Sequence, residues 1–195
     1  MYKSLMPSQK HCMKKIMEQE DTYYRRSNII VVGEPQIGKT YLLKNMSNKD
    51  RRYLYINFTK EYLETFLKEK RLYNINFHEF QLFLRKSFSG YNDRIIILDE
   101  IDSVISILIQ GKIENLIVLF RQFLAMDQSV KYIFVTSLFN RGIVDRASKE
   151  YGNRIITLDF NNSDKEYIVK TCFDNVNLFD FSKTSNLRQM LKERK

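Results

Sequence analysis

Eight consecutive residues have the types and the spacing of a loop that binds phosphate. The run Gly33-Glu34-Pro35-Gln36-Ile37-Gly38-Lys39-Thr40 fits the pattern GxxxxGK[ST] at every fixed position. Its glycines would let backbone N–H groups turn inward around phosphate oxygens, and the N-terminus of a following helix would add positive potential. Lys39 would reach the β and γ phosphates, and the Thr40 hydroxyl would bind Mg²⁺. The sequence therefore predicts that ATP and Mg²⁺ bind to this loop, with Tyr41 as its last contact.

A pair of adjacent carboxylates, Asp99 and Glu100, follows the apolar run 95–98. A carboxylate at the tip of a strand can hold Mg²⁺ through its water shell, and a second one can orient and activate the attacking water. An ordinary acidic transition from strand to loop would not need two adjacent carboxylates here. We therefore predict that Asp99 serves the metal and that Glu100 is the general base, and we expect Asp102 to cap a helix.

Short apolar runs alternate with amphipathic stretches, a pattern typical of a parallel sheet covered by helices on both faces. We predict strands at 28–32, 53–58, 95–98, 132–135 and 154–160. We predict helices that begin at a Ser8 cap, at Lys39 and at a Ser163–Glu166 capping box, with others at 60–70, 77–88, 104–126, 140–151 and 185–194. The first strand ends at Gly33 and the next helix opens at Lys39, which is the context that a phosphate-binding loop requires.

The length of 195 residues allows one α/β domain. We divide it into an ATPase domain with an N-terminal helix, residues 1–162, and a short helical segment, residues 163–195. The most apolar stretch, 104–120, is interrupted by polar residues and lacks the roughly 20 continuous apolar residues of a membrane span. Cys12 and Cys172 fit no metal-ligand or CxxC spacing, so we expect reduced, buried thiols in a cytoplasmic protein.

The net charge is +9, and the basic residues are spread along the chain. Lysine and arginine release counterions from a phosphate backbone, so a polyanion partner would explain this charge. A basic solvated surface without a nucleic-acid partner would explain it equally well.

Several of these motifs together resemble the AAA+ and related ATPases that use a catalytic glutamate. They are the loop GEPQIGKT, the strand and acidic run IIILDEID, and the strand IFVTS. Within that group, YLYINF followed by ILDEID is most similar to the origin-recognition or initiator-type and small prokaryotic ATPases. The resemblance covers residues 25–165. It implies a five-stranded parallel P-loop sheet, ATP with Mg²⁺, and assembly into oligomers in which a neighbour completes the site.

The resemblance also implies roles for three polar residues at strand ends. Asn57 would restrain the catalytic glutamate, or it is an ordinary residue at the end of a strand. Thr136 and Ser137 would form the first sensor of the γ phosphate or the water, or they are a hydroxyl pair that opens a loop. The family commonly has Asn near that point, and Asn140 lies one turn too late to take its place.

The chain departs from the family pattern in its arginines. Arg146 and Arg154 are the candidates for an arginine finger, but neither falls on the family's position, and each is also explained as a surface arginine. Arg188 would be the sensor arginine of a lid, or it belongs to a basic C-terminal helix. Only about 25 residues separate this helix from the last predicted strand, so a lid would be reduced to a remnant.

Two other P-loop classes do not fit. A GTPase would need an NKxD motif, and the run 48–51 lacks the Asp at the right step. A nucleotide kinase would have no use for Glu100. Our leading hypothesis is an ATPase that uses hydrolysis to switch its binding to a nucleic acid or to a protein acting on one. The alternative is a nucleotide-gated regulatory or defence-signalling module that hydrolyses little ATP.

Overall fold

The fold is a parallel sheet with helices on both faces. A computed structural model describes residues 5–21, 28–69, 75–91, 93–110, 112–126, 130–137 and 141–172. The strands are β1 (Ile29–Val32), β2 (Tyr53–Asn57), β3 (Ile95–Asp99), β4 (Lys131–Thr136) and β5 (Ile155–Thr157). The helices are α1 (Pro7–Asp21), α2 (Lys39–Lys49), α3 (Phe58–Glu61), α4 (Leu63–Glu69), α5 (Phe77–Phe88), α6 (Asp102–Leu108), α7 (Leu116–Ala125), α8 (Arg141–Tyr151) and α9 (Asn162–Cys172), with 3₁₀ turns at Ile113–Asn115 and Gly152–Arg154.

The strands pair in parallel in the order β2-β3-β4-β1-β5. This confirms the predicted α/β class and the five-stranded parallel sheet. In open sheets of this kind, ligands bind outside the carboxyl ends of the strands, where the strand order reverses. The carboxyl end of β1 leads into the phosphate loop, and β2, β3 and β4 end beside it at Asn57, Asp99 and Thr136.

Each face of the sheet packs against its own layer of helices. Because side chains alternate along a strand, Ile30 and Val32 of β1 face one layer, and Ile29 and Val31 face the other. The first layer is rich in phenylalanine, and Phe123 of α7 stacks on Phe134 of β4 with 4.4 Å between ring centroids. The second layer contains α1 and α2. Both layers are needed to bury strands that are apolar on both faces.

Two predicted helices are broken. The helix expected at 60–70 begins earlier, at Phe58, because the Asn57 side chain accepts a hydrogen bond from Lys60 N and caps α3; the chain then turns at Tyr62 before α4. The helix expected at 104–126 is interrupted after α6, where Gln110 has a φ of 53°. The predicted helix at 185–194 lies outside the described residues.

Two capping predictions were wrong. Ser8 lies inside α1, which begins at Pro7, a residue whose fixed φ and missing N–H suit the first helical position. The capping box of α9 is formed by Asn161 and Asp164, not by Ser163 and Glu166: each backbone N–H of the pair donates to the other's side chain, at 3.0 and 3.1 Å. The reason is that Asp164 is buried and also accepts from Ser8 N at 2.9 Å, so one carboxylate serves the first turns of both α9 and α1.

Within the described ranges, no single helix is long and apolar enough to cross a membrane. The segments Asp102–Leu108 and Ile113–Ala125 reach that length and composition only as a pair, with a bend of 105° between them.

Candidate active site

The predicted phosphate loop wraps around the amino end of α2. Gln36 and Gly38 have φ values of 66° and 94°, in the left-handed region that favours glycine. Gly33 has little room beside it, since a Cβ built there would lie 2.5 Å from the Leu158 carbonyl oxygen. The loop therefore needs a glycine at its first position for close packing and at Gly38 for its turn.

Lys39 is nearly buried and points back into the loop. Its Nζ donates to the carbonyl oxygens of Gly33 at 2.6 Å and Glu34 at 2.8 Å. Burial lowers the pKa of Lys39, and the carboxylates of Asp102 and Asp99 oppose that shift. The Lys39 ammonium thus donates to backbone carbonyl oxygens at the place where it would otherwise donate to phosphate oxygens.

Thr40 and Asp99 lie together, as the sequence predicted. The Thr40 hydroxyl donates to Asp99 Oδ2 at 2.7 Å, and Glu100 N donates to Asp99 Oδ1 at 3.0 Å. Asp99 is 2% exposed. A hydroxyl and a carboxylate beside a phosphate loop are hard oxygen ligands of the kind that Mg²⁺ binds together with substrate phosphates. The donor set fits Mg²⁺, with Thr40 and Asp99 as the residues that would hold it.

Glu100 is exposed and is held from two directions. Its backbone has a φ of 59°, which is uncommon for a residue with a side chain. Asn57 Nδ2 donates to Glu100 Oε2 at 2.6 Å, and the Thr59 hydroxyl donates to the Glu100 carbonyl oxygen. This geometry follows from the sheet, because Asn57 and Asp99 are direct partners in the β2–β3 pairing. The contact has the form that the resemblance implied for Asn57.

The two sensor candidates at the end of β4 differ in position. Thr136 is fully buried and its hydroxyl donates to Asp102 Oδ1 at 2.7 Å, whereas Ser137 is half-buried and lines the cleft over the loop. Ser137 N also donates to Asp102 Oδ1, at 2.7 Å. The expectation that Asp102 is a helix cap was wrong: the N-cap of α6 is Ile101, Asp102 is the first helical residue, and its Oδ1 accepts from the end of β4. Asn140 lies outside the described residues.

The loop, the carboxylates and Ser137 surround one open cleft of about 580 Å³. Three loop residues are not part of its lining: Gly33, whose carbonyl oxygen accepts from Lys39 Nζ, Glu34, which is exposed, and Ile37, whose side chain packs in the core layer of α1 and α2. The lining residues are Pro35, Gln36, Gly38, Lys39, Thr40, Tyr41, Lys44, Asp99, Glu100 and Ser137.

The arginine candidates do not come together in this cleft. Arg154 precedes β5, so it lies at the amino end of the strands, and its Nη1 donates to the Leu124 carbonyl oxygen at 3.3 Å. Arg146 is exposed on α8. Arg188 lies outside the described residues. Of the two arginines described, Arg146 has the more accessible side chain.

Tyr55 is a site residue that the sequence did not single out. Its hydroxyl donates to Asp99 Oδ2 at 2.8 Å, and Lys44 Nζ lies 5.1 Å from the centroid of its ring. Burial, together with this hydrogen bond, raises the pKa of Tyr55. One signal was available: Tyr55 lies two residues before Asn57, so strand alternation places both side chains on the same face.

Comparisons with known proteins agree with this geometry. A family model described as an AAA domain matches residues 25–194. No curated protein sequence matches the chain. Among solved structures, a DNA replication initiation factor has a TM-score of 0.54 at 14% identity and covers 98% of this chain and 61% of its own.

The replication initiator DnaA bound to AMPPCP and single-stranded DNA has a TM-score of 0.51 at 17% identity, with coverage of 97% and 61%. AMPPCP-bound DnaA from Aquifex aeolicus has a TM-score of 0.51 at 17% identity, with coverage of 96% and 61%. This chain thus spans about three fifths of each of those proteins. The family match covers most of the chain, and the structural likeness shows a shared fold. The chain belongs to the AAA domain family and is an ATP-binding P-loop protein with the fold of the initiator-type AAA+ ATPases.

Proposed function

We propose that this protein hydrolyses ATP and uses the cycle to switch its binding to a nucleic acid or to a protein that acts on one. The observation that carries the hydrolytic part is the position of Glu100. It follows Asp99, which bonds Thr40, and Asn57 holds its carboxylate at 2.6 Å beside the cleft. A nucleotide-binding module without catalysis would not need a restrained, exposed carboxylate at this place.

The residues of the cleft divide the work of phosphoryl transfer. Bound ATP with Mg²⁺ supplies the transferable phosphoryl group and neutralises part of its charge. Lys39 would exchange the Gly33 and Glu34 carbonyl oxygens for phosphate oxygens, and Thr40 and Asp99 would hold the metal. Glu100, once released from Asn57, accepts a proton from the attacking water. Ser137 lies on the cleft wall, where its hydroxyl can bond the γ phosphate or that water; Thr136 supports it through Asp102.

Two observations support nucleic acid as the partner. The chain has a net charge of +9, which favours contact with a phosphate backbone. One protein with the same fold, DnaA, is bound to single-stranded DNA in its solved structure. We propose that the ATP-bound form holds single-stranded nucleic acid more tightly than the ADP-bound form.

The alternative is a nucleotide-gated regulatory or defence-signalling module with little hydrolysis, and the arginines favour it. Phosphoryl transfer needs positive charge beyond Lys39 and Mg²⁺, and an arginine finger is one source of it. Of the three candidate arginines, Arg154 already donates to the Leu124 carbonyl oxygen, so Arg146 and Arg188 remain as donors, and Arg188 lies outside the described residues.

For the leading hypothesis, we propose that Arg146 acts on the ATP of a neighbouring subunit in a homo-oligomer or hetero-oligomer.

We also propose that the chain consists of an ATPase domain, residues 1–162, and a reduced lid, residues 163–195. The first turns of α9 contact the ATPase domain, since Asp164 and Ile168 are buried and Asp164 bonds Ser8. A lid function would therefore belong to the part of the segment beyond α9.

The decisive experiment measures ATP turnover and DNA binding together. Phosphate release is followed with and without single-stranded DNA, and binding to a labelled oligonucleotide is measured with ATP, ADP and no nucleotide. The proposal expects turnover that Glu100→Gln abolishes and DNA affinity that differs between ATP and ADP. Turnover equal to that of Glu100→Gln, with nucleotide-dependent binding of a partner, would instead support the regulatory module. Equal DNA affinity in all nucleotide states would exclude nucleic acid as the switched partner.

A further inference from the structure

A glutamine of the N-terminal helix contacts the phosphate loop. Gln9 of α1 is only 1% exposed, and its Nε2 donates to the Gly38 carbonyl oxygen at 3.1 Å. Its Oε1 accepts from Met6 N at 3.0 Å. A backbone N–H must meet the amide's oxygen and a carbonyl must meet its nitrogen, so these partners allow one orientation of the amide. Gln9 is therefore fixed before any ligand binds.

The bond to Gly38 fixes the direction of the next backbone N–H. In a trans peptide unit the carbonyl of one residue and the N–H of the next point in opposite directions. The Gly38 oxygen also accepts from Leu42 N at 3.0 Å, so two donors hold it on the side away from the loop. The Lys39 N–H of the same peptide is thereby directed into the loop, where phosphate oxygens would lie.

Gly38 needs such support because its backbone is permissive. Gly38 has a φ of 94°, and glycine adopts positive and negative φ values with similar ease, so the residue itself does not fix this conformation. A rotated Gly38–Lys39 peptide would direct a carbonyl oxygen toward the phosphates and would repel them. A Cβ built on Gly38 would lie 2.5 Å from Gln9 Nε2, so the glutamine and the glycine fit each other closely.

We propose that Gln9 is a positioning residue of the nucleotide site: it holds the Gly38–Lys39 peptide so that the Lys39 N–H meets a bound phosphate, and α1 thereby sets nucleotide affinity. The inference rests on the proposed phosphate site. The place of Gln9 depends in turn on α9, because Asp164 accepts from Ser8 N in the first turn of α1. The nucleotide site thus extends from the motif residues to a helix outside the motif.

The test uses two variants that distinguish the loss of the Gln9 hydrogen-bond donor from a change in side-chain volume. Gln9→Glu keeps an acceptor for Met6 N but replaces the donor to Gly38 by a carboxylate oxygen. Gln9→Met keeps the length and volume but removes both polar atoms. Gln19→Glu, the same change on the same helix farther from the loop, is the matched control. Fluorescently labelled ADP with Mg²⁺ is titrated against each full-length protein from pH 5 to pH 8, and wild type is measured at every pH.

We expect Gln9→Glu to bind labelled ADP about tenfold more weakly than wild type at pH 8, the size of effect that follows from losing one buried hydrogen bond and adding repulsion. At pH 5 the difference from wild type shrinks, because a protonated carboxyl can again donate to the Gly38 oxygen. Gln9→Met is weakened at every pH, and Gln19→Glu binds like wild type. A purely structural role for Gln9 would give losses without this recovery.

Two outcomes would overturn the inference. One is ADP affinity equal to wild type in folded Gln9→Glu and Gln9→Met. The other, which needs no variant, is rapid solvent exchange of the Gln9 side-chain amide in wild type bound to ADP, measured by nuclear magnetic resonance. Failure of wild type itself to bind ADP, with Lys39→Ala behaving identically, would instead remove the phosphate site on which the inference rests.

Discussion

Asn57 Nδ2 and Glu100 Oε2 are 2.6 Å apart, so the amide that caps α3 also restrains the proposed general base. Replacing Asn57 by Asp keeps the oxygen that accepts from Lys60 N and removes the donor to Glu100. We expect this variant to raise basal ATP turnover by a few-fold, since a hydrogen bond of about 1 kcal/mol no longer holds the Glu100 carboxylate on Asn57 and keeps it from the attacking water. Phosphate release by dilute protein measures the effect. A lower basal rate would show that Asn57 positions Glu100 for catalysis.

Glu100→Gln tests the base itself. Glutamine can keep a polar contact with Asn57 but cannot accept the water proton, so hydrolysis falls by a factor on the order of 10² or more while ATP binding is kept. Glu64→Gln, an exposed carboxylate on α4 paired with Lys68, is the control and leaves the rate unchanged. Single-turnover hydrolysis gives the rate. Parental turnover in Glu100→Gln would assign the base to another residue.

Lys39→Ala tests the phosphate loop. It removes the ammonium that donates to the Gly33 and Glu34 carbonyl oxygens inside the loop, and we expect ATP affinity to fall by a factor on the order of 100 or more. Lys49→Ala, at the exposed far end of α2, is the matched control. Isothermal titration with ATP and Mg²⁺ measures both. Undiminished affinity in Lys39→Ala would contradict the assignment.

Arg146 and Arg154 are expected to respond differently to alanine. If Arg146 serves a neighbouring subunit, specific activity rises with protein concentration in the parent, and Arg146→Ala removes that rise without weakening ATP binding. Arg154→Ala lowers the free energy of unfolding by about 1 kcal/mol, because the Leu124 carbonyl loses its donor. Turnover across a dilution series and urea unfolding measure the two effects. Constant specific activity in the parent would argue against a donor from a second subunit.

The buried thiol of Cys12 is expected to make the free energy of unfolding depend on pH. Burial raises the pKa of its thiol to about 12, against about 8.5 in an unfolded chain. Above pH 8.5 the unfolded state releases this proton and the folded state keeps it, so the free energy of unfolding falls as pH rises. From pH 8.5 to 10 the loss from this group is about 1.5–2 kcal/mol. Urea unfolding of the parent and of Cys12→Ala over that range isolates the contribution of this thiol. The free energy of unfolding should fall more steeply with pH in the parent than in the variant. Parallel curves would contradict it.

The parts of the fold that the sequence predicted well are those encoded by neighbouring residues. The strand ends are correct to within about two residues for four strands, because apolar runs bounded by polar residues mark them. The phosphate loop and Asp99-Glu100 are short motifs in such contexts, and the structure places them in one cleft. Only β5 is clearly shorter than predicted, at Ile155–Thr157; Leu158 N still donates to Val32 O at 2.8 Å, and the strand pairing does not continue beyond it.

Contacts between distant residues could not be predicted in the same way. Asp102 has the position of a helix cap, and only the fold shows that its carboxylate is taken by Thr136, 34 residues away. Ser163 and Glu166 match a capping box as well as Asn161 and Asp164 do, and the choice depends on Ser8 at the other end of the chain. Gln9 carries no local signal, since its two partners are set by how α1 packs on the loop.

The bond between Ser8 and Asp164 spans 156 residues and therefore sets an order of events during synthesis. α1 leaves the ribosome before α2, but its contact with α9 can form only after nearly the whole sheet has been made. At about 5–20 residues per second, the interval is roughly 8 to 30 s. During that time Cys12 and Ile16, buried in the finished protein, have no α9 to hold them in place. The nascent chain thus exposes part of the apolar face of α1 to chaperones until α9 has been made.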